Sequence, residues 1–267
     1  MKCKLLKINT SKHVTTILLD HPSKKNALDN SLIRELVWAL DFLNQEKNCR
    51  VLILGSSGDV FCSGGDVKAM INRDEMFSGE SVDLRYQYHF GIEEIARAIE
   101  RFRKPIIGVL DGACVGAGAD LACMCDIRLG SDKMTFSETF SNLALVPGDG
   151  GTYFLSRVLG YSKAMELYLT ARKVDATEAL EIGLINYLIK SEEIWEYVSS
   201  FADNMSQKPP VAIEMTKQAL KEVFQNRNLE SNLNLLSAYQ AITQKSNDHL
   251  KSLSMIRGKG DVHFDGN

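Results

Sequence analysis

No apolar run in this chain approaches the roughly 20 residues needed to span a bilayer as a helix, and charge of neither sign prevails. The 31 lysines and arginines nearly balance the 34 acids, for a formal charge of −3. Such a chain has no field to hold nucleic acid or an anionic membrane. Six cysteines include no CxxC pair, and no His or second Cys pair stands at ligand spacing from Cys123 and Cys125. No metal site is therefore expected. Met1–Ile8 lacks the core of a signal peptide, so the cysteines read as reduced thiols of a cytoplasmic protein. There is no GxSxG elbow, and none of His13, His21, His89, His249 or His263 lies in a glycine loop. A nucleophilic hydrolase is thus unsupported. Gly116-x-Gly118 falls short of GxGxxG and sits mid-chain, which argues against a dinucleotide site.

What is present is one α/β domain with a helical appendage. Residues 1–190 alternate strands, glycine loops and helices; residues 191–267 read as helices only. Lys4–Ile8 and Val14–Leu19 are expected to pair across a polar Asn9–Lys12 turn. A helix capped by Asp29 or Asn30 carries the stripe Leu32, Ile33, Leu36, Val37, Leu40 and Leu43. Val51–Leu54 and Ile106–Leu110 are continuous apolar runs, the mark of strands buried on both faces. Ile127–Leu129, Lys133–Phe136 and Leu184–Ile189 are expected as further strands, with an amphipathic helix around Tyr88–Phe102. Strands separated by helices predict a largely parallel sheet. Asp175 and Glu178 form a capping-box-like start to a short helix that Gly183 stops. In the C-terminal region Leu220, Val223, Phe224, Leu229, Leu233 and Leu236 form apolar stripes that need a partner surface.

Three glycine loops follow strands: Phe61-Cys62-Ser63-Gly64-Gly65-Asp66, Gly112 to Asp120, and Val146-Pro147-Gly148-Asp149-Gly150-Gly151. Small residues let a ligand atom approach the main chain. Two N–H groups converging on one point from helix starts would hold an oxyanion, as in chemistry that turns a thioester carbonyl into an enolate.

On these blocks the chain resembles the crotonase (enoyl-CoA hydratase/isomerase) superfamily. The segments FCSGGDVKAM (Phe61–Met70), DGACVGAGADLACMCD (Asp111–Asp126) and FSETFSNLALVPGDGG (Phe136–Gly151) are similar to its three signatures, in order. His21-Pro22 followed by Asn26-Ala27-Leu28 matches its coenzyme A loop. The resemblance implies a spiral of ββα units with a helical C-terminal region, assembled as a homotrimer or as a hexamer of two trimers. It implies oxyanion donors at the backbone N–H of Gly65 and Ala117. It places Lys68 and Lys259 near the coenzyme A nucleotide, with Lys24 or Lys25 adding charge. Ala27, Gly64, Asp66, Val67, Gly116 and Phe140 become further substrate-binding positions. The substrate is an acyl-CoA thioester, and no separate cofactor is implied.

The catalytic carboxylates depart from the family pattern. Where hydratases place a glutamate in the second block this chain has Asp120, and the third-block position is Phe140. Hydration needs one group to activate water and another to handle the alpha proton, whereas one base suffices to shift a double bond. Asp120 is the expected base and Asp149 the second candidate. Glu138, two residues before Phe140 on an extended strand, would reach the site only if the local path shifts. Phe140 is expected to line an acyl pocket. The sequence thus points to an enzyme of enoyl-CoA (fatty acid) metabolism that hydrates or isomerises, with decarboxylation and thioester hydrolysis as other enolate reactions. From a different class, a weakened acyl-CoA-binding or scaffold subunit fits the missing glutamate.

Overall fold

Val51–Ser56 and Ile106–Leu110 are buried at every position, because each strand is covered on both faces. The structure, a computed structural model, describes residues 3–226, 228–256 and 262–267. In chain order it opens with β1 (Leu6–Ser11), β2 (Val14–Leu19), α1 (Asn30–Gln45), β3 (Val51–Ser56), β4 (Val60–Cys62) and α2 (Val67–Asn72). Then come α3 (Ser81–His89), α4 (Glu93–Arg101), β5 (Ile106–Leu110), β6 (Ala113–Val115), α5 (Ala117–Cys123), β7 (Ile127–Ser131) and β8 (Thr135–Ser137). The chain continues as α6 (Gly151–Thr170), β9 (Val174–Asp175), α7 (Ala176–Glu181) and β10 (Tyr187–Ile189). It ends in α8 (Ile194–Ser206), α9 (Pro210–Asn226), α10 (Leu229–Gln244) and α11 (Asn247–Ile256).

The large sheet runs β1-β2-β3-β5-β7-β10 and is parallel except for the β1–β2 hairpin. A small sheet runs β4-β6-β8-β9. Each pass of the chain gives one strand to the large sheet and the next to the small one, in the pairs β3/β4, β5/β6 and β7/β8. Three such passes make a spiral. Strand alternation divides the core in two. Leu52, Leu54, Ile106 and Leu110 face the body of the domain, while Val51, Ile53, Ile107 and Val109 face Ile194, Val198 and Ala202 of α8.

Several boundaries move relative to the sequence reading. Thr10 and Ser11 stay in β1, leaving a tighter turn at Lys12-His13. The helix expected around Tyr88–Phe102 divides into α3 and α4, and β10 starts only at Tyr187. Asp175 caps α7 by accepting from Glu178 N, half of the expected box. Asp29 caps α1 through Ser31 N and Leu32 N. Beyond α8 the apolar stripes stay largely uncovered: α10 has no buried residue, and Leu220 and Leu229 are 60% and 68% exposed. The last residues return to the domain. Arg50 Nη2 donates to Phe264 O at 2.6 Å, and Asp248 accepts from Asp265 N and Gly266 N.

Candidate active site

The three glycine loops meet at one cavity. Gly64 has φ 89°, a conformation side chains resist, and a Cβ there would come within 2.6 Å of Val115 O and 3.4 Å of Ala117 N. This close approach puts the first and second loops side by side. Gly64 O accepts from Leu28 N at 2.8 Å, which ties the first loop to the segment after Asn26. Among the described residues no backbone acceptor takes the N–H of Gly65 or of Ala117. Ala117 opens α5, so its N–H has no partner within that helix either. Both residues line one cavity, together with Gly64 and Gly116. Its apolar wall includes Phe77, Tyr88, Ile92, Phe140 and Leu143, and its volume is about 60 Å³. Phe140 is half-buried in that wall.

Behind the cavity lie three buried carboxyls. Asp120, Glu138 and Asp149 are 0%, 0% and 3% exposed. Of the three, Asp149 alone lines the cavity. Asp120 sits in the first turn of α5 and, contrary to a capping role, faces inward. Glu138 arrives by a path the sequence did not reveal. β8 ends at Ser137 and a 3-10 turn starts at Thr139, so the strand geometry that would have set Glu138 beside Phe140 never forms. Among the described residues no donor of ordinary geometry reaches Oδ2 of Asp120, Oδ2 of Asp149 or either oxygen of Glu138. Carboxylates bring no proton of their own, so the cluster satisfies itself by retaining protons between its members. Burial first, then the neighbouring charges of Asp149 and Glu138, push Asp120 well above the usual carboxylate range. Burial and Asp149 do the same to Glu138. Burial also raises Asp149, against the opposing effect of a proton shared from Asp120.

Two further contacts fix Asp120. Its Oδ1 accepts from the Tyr168 hydroxyl at 2.7 Å. Its carboxyl also packs against the Cα of Gly151, where any Cβ would overlap it. Tyr168 escaped the sequence reading because it lies 48 residues away in a helix. A hydroxyl-tipped aromatic beside Leu167 was the only local hint.

The basic residues separate into two groups. Lys24 turns inward: its Nζ lies 2.8 Å from Asp29 Oδ2, 2.8 Å from Asp66 Oδ2 and 3.6 Å from Glu75 Oε1. Hydrogen bonds that it donates to Asp29 and Asp66 push its pKa above the ordinary lysine range. Asp66 caps α2 through Lys68 N and Ala69 N, so Lys24 braces the end of the Gly64-Gly65 loop and is not free for a phosphate. Lys25 and Lys68 have exposed side chains without an ion pair among the described residues. Val67 is 47% exposed at the cavity wall, whereas Ala27 is buried. Lys259 lies outside the described residues. The amide of Asn26, in the segment matched to the coenzyme A loop, donates to Val60 O and Phe61 O and accepts from His21 N.

Paired free amides beside buried carboxyls can hold a carbonyl oxygen that gains charge next to a mobile proton. Comparison with known proteins narrows this. Residues 9–267 match the family model described as Enoyl-CoA hydratase/isomerase. A peroxisomal Delta(3,5)-Delta(2,4)-dienoyl-CoA isomerase of Arabidopsis thaliana is 32% identical over 98% of this chain and 96% of its own length. A short-chain-enoyl-CoA hydratase of Clostridium acetobutylicum is 29% identical over 85% of this chain and 83% of its own. The solved enoyl-CoA hydratase of Bacillus anthracis superposes with a TM-score of 0.91 at 27% identity, covering 99% of this chain and 100% of that one. The chain belongs to the enoyl-CoA hydratase/isomerase family, within the crotonase superfamily, and is an enzyme of the hydratase/isomerase type. No helix among the described residues is long and apolar enough to cross a membrane.

Proposed function

We propose that the enzyme shifts a carbon–carbon double bond within an acyl-CoA thioester, with Asp149 as the group that moves the proton. One observation carries this reading: of three buried carboxyls, Asp149 alone opens on the cavity that also holds the free amides of Gly65 and Ala117. Those amides form the oxyanion hole. Ionised Asp149 takes a proton from C2 of a 3-enoyl thioester, and the electron pair moves into a dienolate whose oxygen the two amides stabilise. Protonated Asp149 then returns the proton to C4, giving the conjugated 2-enoyl thioester. No electrons leave the substrate, so the reaction needs no redox cofactor. Phe140 stands where hydration would need a second carboxylate, and the relative named as a dienoyl-CoA isomerase is in keeping with this chemistry.

Lys25 and Lys68 supply exposed charge for the coenzyme A phosphates. Asp120, first expected as the base, becomes the partner that holds a proton behind Asp149. Six free thiols, five of them buried, suit the reducing cytoplasm.

The test is spectrophotometric. A 3-enoyl-CoA should gain the conjugated 2-enoyl absorbance, while crotonyl-CoA keeps its own. Steady loss of the crotonyl absorbance would make the enzyme a hydratase, and tight binding without either change would make it a scaffold. We also propose that copies of this chain cover the apolar faces of α9, α10 and α11, where Leu220, Phe224, Leu233, Leu250 and Ile256 are exposed. Sedimentation should therefore give a species of three or six chains, and a stable monomer would refute the assembly.

A further inference from the structure

We infer that Tyr168 is a positioning residue: its hydroxyl, anchored on Oδ1 of Asp120, holds the Asp120 proton on the opposite oxygen, facing the other two carboxyls. The inference rests on the reading of Asp149 as base and extends it to the residue that keeps Asp149 ionised.

The argument begins with α6. A straight helix would hold Gly151 and Tyr168 about 25 Å apart, yet both touch Asp120. The helix is broken at Gly160, with φ 75° and ψ 167°, and the two halves fold around the same carboxyl. Gly151 gives Asp120 its room and Tyr168 gives it a hydroxyl donor. The ring of Tyr168 is itself held, 6.5 Å from that of Phe140 at an interplanar angle of 51°.

A neutral carboxyl has one acceptor oxygen and one that bears the proton. The Tyr168 hydroxyl is 2.7 Å from Oδ1, so Oδ1 is the acceptor. Oδ2 then bears the proton, with the carboxyls of Asp149 and Glu138 as its neighbours. Among the described residues, Oδ2 of Asp149 and both oxygens of Glu138 lack donors in turn. Donation from Oδ2 to Asp149 lets Asp149 remain ionised in a buried site, as a base must. The hydroxyl thus acts on the reaction through Asp120 without touching substrate.

The charged and titratable groups around Asp149 define the control. Besides Asp120, Glu138 and Tyr168 these are Tyr88 on α3, Glu93 on α4 and Cys62 on β4. None of these last three contacts Tyr168, so removing its hydroxyl leaves them in place. Without that hydroxyl the Asp120 carboxyl is free to rotate or to exchange its protonated oxygen, and Asp149 loses its steady donor. Its pKa then rises further, because only its backbone hydrogen bonds still oppose burial. A base is active when ionised, so the acid limb of the kcat profile moves to higher pH.

The experiment compares Tyr168→Phe and Tyr168→Leu with the unaltered enzyme on a 3-enoyl-CoA. Tyr168→Phe keeps the ring against Phe140, and kcat is expected to fall about tenfold with KM nearly unchanged. Its acid limb should lie at higher pH. A Tyr168→Phe enzyme with unaltered kcat and pH profile, and loss confined to Tyr168→Leu, would assign Tyr168 to packing and overturn the inference. Asp149→Asn, measured alongside, separates the two readings: if it is inactive while Tyr168→Phe is unaffected, the base stands and the positioning role falls. If Asp149→Asn keeps its turnover, both fall.

Discussion

Asp149→Asn is expected to lower turnover of a 3-enoyl-CoA by roughly 10²- to 10⁴-fold, and to make the protein more resistant to unfolding. The two effects have one cause. Asparagine matches the shape of aspartate and keeps an acceptor for the Gly151 N–H, which Asp149 Oδ1 now meets at 3.4 Å. It cannot take a proton from carbon and give it back. It does remove one of three acids crowded in a dry site, where each raises the cost of ionising the others. The sign of the pH dependence follows. All three folded-state pKa values lie above their ordinary values, so between the two ranges the folded chain binds more protons than the unfolded one. Stability then falls as pH rises above the unfolded carboxylate pKa near 4. This is the reverse of a salt-bridged aspartate. The advantage of Asp149→Asn should therefore grow with pH, as thermal melts at acid and neutral pH would reveal. Retention of more than a tenth of the turnover would remove Asp149 from the mechanism.

Stabilisation by loss of a catalytic group also says why this cluster exists. Three mutually destabilising acids persist in a core only when function needs a proton held at that spot. Part of that site could be read along the chain. Loops of glycine after strands mark main chain that approaches a ligand, and Gly64, Gly65, Gly116 and Ala117 do line one cavity. Asp120 and Asp149 stood out because acids in such loops are few. Their order, with Asp149 in front and Asp120 behind, was not legible, because it depends on how α5 and the loop before α6 pack. Glu138 joins the buried acids only because the local path shifts: β8 stops one residue before it, and nothing in Phe136 to Phe140 announces the 3-10 turn. Lys24 and Lys25 look alike in sequence, yet Lys24 is consumed by three acids and Lys25 faces solvent. The buried parallel strands were the most legible elements, since four or more consecutive apolar residues bounded by polar ones admit few other placements. Of the small sheet only β8 was anticipated, in part, by Lys133–Phe136; the others escaped because they have only two or three residues, too short for any period to show.

Gly151→Ala should cost more activity than any change of comparable size elsewhere in the loop before α6. By helix propensity alone the substitution is favourable, since alanine exceeds glycine by up to about 1 kcal/mol in a helix. Gly151 is the first residue of α6, and its φ is not in the left-handed region, so the backbone raises no objection. The obstacle is the Asp120 carboxyl, which occupies the volume a Cβ would need. Asp120 is 0% exposed and held by Tyr168, so it has no free direction in which to retreat. Either α6 moves away or the carboxyl is forced off its hydrogen bond. Overpacking of this kind costs about 1–3 kcal/mol, and displacing a catalytic cluster by an ångström costs on the order of 10²-fold in rate. A double variant apportions the loss. Adding Asp120→Gly to Gly151→Ala removes the overlap and should recover most of the melting temperature, but not the turnover, because the proton behind Asp149 is gone. Gly58→Ala, whose Cβ would meet nothing within 4 Å, serves as the control and should be silent. Full activity in Gly151→Ala would mean that Asp120 can move without consequence. Its carboxyl would then be no part of the reaction, and Asp149 would have to work without the neighbour to which its buried charge is coupled.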